Sequence, residues 1–176
     1  ASEILSPGLL DYDFTLGFRR KDFGLASDNY ADDPVISTSV RYGAASFFTP
    51  QIMIQAGEDL RLGGAGFSLL AGNWGVFEFS HAASHYLEEH GQQESYAYTY
   101  SQERFAVSGR YLQRRGMYRD LGSLDRSALR DSQVQAAFSI YDRTLGSFNV
   151  GYVRVSDEDV GQREFATLSW SRFFKS

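Results

Sequence analysis

The chain contains no cysteine. That excludes a disulfide framework, a thiol nucleophile and a thiolate metal site, but it leaves the compartment open, because an exported protein can do without thiols. No apolar run approaches the roughly 20 residues of a transmembrane helix, so a helical membrane protein is excluded. A basic surplus is also missing: 17 Lys and Arg stand against 22 Asp and Glu, a formal net charge of −5, which argues against a general nucleic-acid binder. The opening Ala1-Ser2-Glu3-Ile4 carries no basic, apolar leader, so the chain is expected to be mature or excised from something longer. Disorder is excluded by composition, since 43% of residues are hydrophobic and only 22% charged.

Aromatics and glycine are abundant: Tyr 11, Phe 14 and Gly 17, beside three prolines. This is the composition of a β-rich chain with one apolar face. The 176 residues suffice for one ordinary domain or for a sheet of about ten membrane-length strands.

Period-2 alternation begins early. Leu10, Tyr12, Phe14, Leu16 and Phe18 share one face, and Asp11, Asp13, Thr15, Gly17 and Arg19 the other; a helix would scatter the apolar five around its circumference. The pattern recurs at Ile36–Gly43, Tyr96–Ser101, Phe105–Tyr111, Val134–Tyr141 and Phe148–Tyr152, with weaker versions near 50–57, 62–72, 75–82 and 162–173. The expected fold is all-β, an antiparallel up-and-down meander of about ten strands. Tight turns are predicted near Ala44–Phe47, Gly72–Gly75, Ser101–Arg104 and Asp142–Gly146. Longer connections are predicted near Arg20–Pro34, Gly57–Leu60, Ala83–Glu94, Arg115–Ser132 and Ser156–Gly161. The two sets alternate, which puts every tight turn at one end of the sheet, as in outer-membrane barrels. A soluble β-sandwich or lipocalin-like barrel also has alternating strands, with the apolar face turned inward. Two features favour the inside-out arrangement: polar faces rich in Ser, Thr, Gly, Gln and Asn rather than dense Lys and Glu, and apolar faces rich in Tyr and Phe, suited to interfacial girdles.

Several segments, in order, resemble the outer-membrane fimbrial ushers of the chaperone–usher pathway. Gly8–Arg20 is similar to the barrel strand that follows the usher plug. Arg41–Thr49 resembles the family's Tyr-Gly, tight turn and Thr-rich strand, and Ala56–Leu60 through Gly75–Ser80 its glycine-rich hairpin. Tyr96–Tyr100 and Gly109–Asp120 resemble the next pair, and Leu168-Ser169-Trp170-Ser171-Arg172 a recurrent Leu-Ser-Tyr-Ser strand ending. The resemblance implies a transmembrane β-barrel, or an arc of a larger usher barrel of about 24 strands. Residues 1–176 would form a single pore region without N-terminal periplasmic, plug or C-terminal domains. The implied role is the bacterial outer-membrane pore that assembles and secretes chaperone-delivered pilus subunits. The implied partners are those subunits with their periplasmic chaperone, outer-membrane lipid and the remaining usher strands or domains. Nucleic acid is not among them, and no cofactor is implied. The alternatives are a self-contained ten-stranded outer-membrane barrel, acting as a small pore or rim hydrolase, and a soluble β-barrel binding module.

In the membrane reading, Asp11, Asp13, Arg19, Ser37, Ser39, Arg41, Gln55, Glu78, Thr99, Ser108, Arg110, Gln135 and Ser139 line the lumen. Tyr12, Phe14, Leu16, Phe18, Val40, Tyr42, Phe77, Phe79, Tyr96, Tyr98, Tyr100, Phe138, Ile140, Phe148 and Tyr152 face lipid. A lumen with small polar groups and sparse mixed charge passes a folded cargo without gripping it; rings of one sign suit ion selectivity instead. For enzymatic chemistry the only cluster is His81, His85 and His90 with Glu88 and Glu89. These are expected to be loop and rim residues without a metal, because the His81/His85 spacing suits a metal on a helix, not at a strand end. Asp11, Asp13, Ser80 and His81 could be assembled into a rim hydrolase site, but nothing in the sequence fixes their mutual geometry. The glycines of Gly57–Gly66 lack Gly-Lys-Ser/Thr and a strand–helix setting, so they form no phosphate loop. The charges from Arg110 to Asp131 are expected on a solvated external loop. Ser156-Asp157-Glu158-Asp159 is expected to be an acidic turn rather than a calcium loop. No enzyme activity is expected.

Overall fold

The computed structural model describes residues 4–20, 30–57, 59–123, 131–157 and 161–172. Ten strands follow one another: β1 Leu10–Arg20, β2 Tyr30–Tyr42, β3 Phe48–Gly57, β4 Leu60–Leu70, β5 Val76–Tyr86, β6 Glu89–Ser101, β7 Phe105–Gly116, β8 Asp131–Asp142, β9 Gly146–Asp157 and β10 Gly161–Ser171. They pair antiparallel with their sequence neighbours in one sheet, β1 through β10 in order. Each strand runs 10 to 13 residues, so β6, β7 and β9 extend well past the alternating stretches Tyr96–Ser101, Phe105–Tyr111 and Phe148–Tyr152. No pairing joins β1 to β10 among the described residues, so the sheet is open, with a row of unsatisfied backbone groups on each outer strand.

Turn chemistry sets the register. At the β8–β9 turn the Asp142 carboxylate accepts the N–H groups of Thr144 and Leu145 at 2.7 and 2.9 Å, and Gly146 follows at φ +92°, the left-handed position that a three-residue hairpin loop requires. Three connections expected to be long are short. β3 and β4 are separated by two residues, and so are β5 and β6; β9 and β10 are separated by three. The predicted loop at Ala83–Glu94 is therefore a hairpin whose strands run on to Tyr86 and restart at Glu89. Its His, Gln and Glu residues look loop-like in composition, but the backbone ladder with β4 and β7 keeps them extended. The even alternation of short and long connections does not hold: only the β1–β2 and β7–β8 connections are long. The residues of the acidic turn at 158–160, and 21–29 of the β1–β2 connection, lie outside the described part.

Because directly paired residues share a face, the register sorts the whole sheet into two sides. One carries Tyr12, Val40, Ile52 and Ala65, then Phe67, Phe79, Tyr96, Tyr111, Val134, Tyr152 and Ala166. The other carries Asp11, Arg41, Gln51, Gly66, Ser80, Ser95, Leu112, Gln133 and Val155.

Candidate functional site

Every residue expected to face lipid falls on the first side, and twelve of the thirteen expected in the lumen fall on the second. The thirteenth, Arg19, has a side chain outside the described part. The second side is concave. A single cavity of about 690 Å³ is lined by Arg41 of β2, Gln51 of β3, Glu78 of β5, Thr99 of β6, Arg110 of β7, Gln135 of β8 and Phe165 and Thr167 of β10. Strands at opposite ends of the sheet thus border one space, which requires the sheet to curl around its polar face. Tyr152, placed on the first side by register, also borders this cavity.

The concave side is polar and mixed in charge. Arg41 reaches the Asp11 carboxylate at 3.4 Å across β1 and β2, and Ser68 Oγ donates to Glu78 at 3.2 Å. Ser108, Thr99 and Gln135 present small neutral groups between them. Asp13, Ser37 and Ser39 lie toward the open β1 edge, and Ser139 on β8 is half-buried.

The convex side is the reverse. Leu10, Tyr12, Phe14, Leu16 and Phe18 are all more than half exposed, and so are Ile52, Ile54, Leu168 and Trp170. Among the described residues the buried hydrophobics number only five: Leu5, Leu60, Leu62, Ala82 and Tyr118. Aromatic rings run across the convex face from strand to strand. Phe67–Phe79, Phe79–Tyr96 and Tyr96–Tyr111 are cross-strand pairs with centroids 5.8, 5.1 and 6.4 Å apart, each worth roughly 0.2–1 kcal/mol to the sheet. This apolar band has an edge. One row beyond it, His81, Glu94, Gln113 and Ser132 stand side by side on β5 to β8, and in the Phe79–Tyr96–Tyr111–Val134 row itself the band gives way on β9 and β10 to an Arg154–Glu164 pair at 3.7 Å. On β1 the band covers Leu10 to Phe18, about 27 Å at the usual strand rise. At the tight-turn end Phe47, Trp74 and Leu145 project outward. There the Tyr98 hydroxyl donates to the Trp74 carbonyl and the Trp170 indole to the Leu145 carbonyl, each at 2.7 Å.

The expected solvated loop after β7 behaves differently. Its first half folds inward over the concave face at the end opposite the tight turns. Tyr118 is 1% exposed and packs on Leu62 and Ala82, with Met53 beside them. The Arg119 N–H donates to Ser84 Oγ at 3.1 Å and the Leu121 N–H to Gln55 Oε1 at 3.2 Å, so Gln55 is engaged by the loop. Arg119 donates to Glu89 at 3.1 Å and lies over the Tyr86 ring. Arg114, expected in that loop, sits on β7 and grips both Asp131 oxygens at 2.9 and 3.1 Å while donating to Gln93. Residues 124–130, with Asp125, Arg126 and Arg130, lie outside the described part. The sequence signal for the infolding is Gly91: a Cβ there would overlap the Tyr118 backbone, so the close approach needs glycine. That signal is visible only once Gly91 and Tyr118 are known to meet.

Burial, reinforced by Asp120, pushes the Tyr118 phenol up from 10 to about 12. A group that binds its proton more tightly when folded contributes stability that is whole below its unfolded pKa and is lost as pH rises through the folded one. The loop is therefore expected to stay docked up to pH 10 and to release between pH 10 and about 12. In the phenolate absorbance titration one tyrosine should ionise last, and that step should disappear in Tyr118→Phe; a wild-type curve identical to the variant's, less an ordinary tyrosine near 10, would refute it.

No protein-family model, curated protein or solved structure matches this chain. No helix among the described residues is long and apolar enough to cross a membrane, which says nothing of a crossing made by strands.

Proposed function

We propose that this chain is an arc of an outer-membrane β-barrel wall, the post-plug portion of a fimbrial usher pore through which chaperone-delivered pilus subunits are assembled and secreted. The observation that carries the membrane part of this reading is the inversion of polarity: large apolar side chains are exposed on the convex face while the concave face is polar and holds a cavity of about 690 Å³. A soluble monomer exposing so continuous an apolar surface would associate or aggregate, and a soluble binding barrel turns that surface inward. In lipid the same band covers the hydrocarbon, with aromatic residues at its margin. The two unpaired edges support an arc rather than a closed ten-stranded barrel, since lipid satisfies no backbone group. The usher identity rests on the ordered resemblance of the strand segments. The role needs no catalytic residue, because the wall shapes a passage and the cargo supplies its own assembly chemistry.

The absence of cysteine makes the test direct. Single cysteines at Ser108 and Gln135 should react with a membrane-impermeant maleimide, while cysteines at Phe138 and Leu168 should resist it and, once labelled with a membrane-permeant fluorescent maleimide, be quenched by lipid-borne quenchers. Equal labelling of both sets, with the chain recovered as a monomer without detergent, would sink the membrane reading. The usher assignment is separate: deleting the segment from the complete polypeptide should abolish surface pili while the chaperone–subunit complexes accumulate in the periplasm. Normal piliation would overturn it.

A further inference from the structure

His85 and His90 were expected to be loop and rim residues, but the β5–β6 hairpin makes them direct cross-strand partners. Their Nδ1 atoms lie 3.0 Å apart. The rings sit side by side, centroids 4.4 Å apart and planes at 54°, so the two nitrogens meet at a common vertex instead of head-on. Both rings are on the convex side, beyond the edge of the apolar band, where solvent is available. Next to His90 a second cavity of about 250 Å³ is lined by Ala83, Gly91, Gln92, Arg115 and Gly116; the small residues leave it open.

From these positions we infer that His85 and His90 form a two-histidine chelate for a divalent transition metal. Neutral imidazoles are the commonest metal ligands. With metal–nitrogen bonds of about 2.0–2.1 Å, two nitrogens 3.0 Å apart subtend an angle of about 91–97°. That is the cis angle of a tetragonal or octahedral ion, smaller than the tetrahedral angle zinc adopts in protein sites. Cu²⁺ and Ni²⁺ have that geometry, and Cu²⁺ stands highest in the affinity order. Among the described residues no cluster of three or more His, Asp or Glu suited to a metal occurs, so water or a small anion fills the other positions. Arg61, paired with His85 across β4, and Arg115 at the cavity favour an anion there. Glu88 and Glu89 lie in or beside the connecting turn. The hairpin is what positions the pair: a two-residue connection between β5 and β6 holds the rings with little backbone freedom to lose on binding.

The test is a Cu²⁺ titration of the intact chain in detergent, followed by electron paramagnetic resonance. One equivalent should bind with a tetragonal signal split by two nitrogens. His85→Gln and His90→Gln should each lose that signal, and His81→Gln, whose ring lies toward Glu94, should retain it. Circular dichroism of the variants checks that the exposed substitutions leave the sheet intact. Absence of saturable binding in the wild-type chain, or a signal that survives both His85→Gln and His90→Gln, overturns the inference. Neither result bears on the pore reading, which makes no use of these residues.

Discussion

Phe138→Arg is expected to block accumulation of the chain in the outer membrane, while Ala137→Arg, one residue away, is expected to be tolerated. Phe138 lies within the convex band, between Val134 and Ile140 on β8, and its register partners are Val107 and Val150. An arginine near the middle of a lipid-facing strand costs about 2–4 kcal/mol, a large share of the 5–15 kcal/mol that holds a typical domain folded. Ala137 faces the other way, between Ser108 and Gly151, and borders the 690 Å³ cavity of the polar face, where in the proposed orientation a long cation keeps its hydration. The pair separates sidedness from strand damage, because both substitutions fall on the same β-strand. The measurement is the heat-modifiable band in outer-membrane fractions from cells making the complete polypeptide. Equal loss for both variants would mean that strand β8 tolerates no arginine on either side, and equal recovery would mean that neither face meets lipid; both outcomes contradict the proposed orientation.

The second large effect is expected at the infolded loop. Tyr118→Ala removes the largest fully buried side chain among the described residues, and deletion of a buried aromatic ring costs about 3–5 kcal/mol. Gly91→Val acts on the same contact from the sheet side by placing a side chain where the Tyr118 backbone passes. Either change should release Met117–Ser123 while leaving the ladder of β1–β10 paired, since that segment contributes no strand. Trypsin cleavage after Arg119, resolved by mass spectrometry, should then accelerate by on the order of 100-fold, as opening by about 3 kcal/mol implies when cleavage follows the open population. An unchanged rate in both variants would show that the loop is not held by this contact. Release should also widen the concave face at the end opposite the tight turns, because Gln55 and Ser84 would lose their loop partners and turn to water.

Alternation is a local property, and it carried most of the architecture. Leu10 to Phe18 or Val134 to Ile140 can be read as strands from their own spacing, and since period 2 assigns each side chain to a face, the two candidate sets were separable before any pairing was known. Long strands near ten in number, antiparallel neighbours and the tight turns at Gly72–Gly75 and Asp142–Gly146 were legible for the same reason: each depends on residues close together in the chain. The hairpin at Tyr86–Glu89 was not legible, because its polar residues carry no hydrophobic period and are held extended by the neighbouring strands β4 and β7. Leu62, which lies on the predominantly polar side, became intelligible only when Tyr118, more than fifty positions later, was found packed on it.

By itself, then, the sequence determined the strands, their order and which residues share a side, together with the exclusions that follow from having no cysteine, no long apolar run and no basic surplus. The tertiary structure alone decided the sense of curvature, the openness of the β1 and β10 edges, the infolding of Met117–Ser123 and the meeting of His85 with His90. The physical reason is range. A face is set by neighbours two residues apart, but curvature accumulates over ten strands, and a loop's position depends on where a glycine on one strand leaves room for a tyrosine beyond the end of the next.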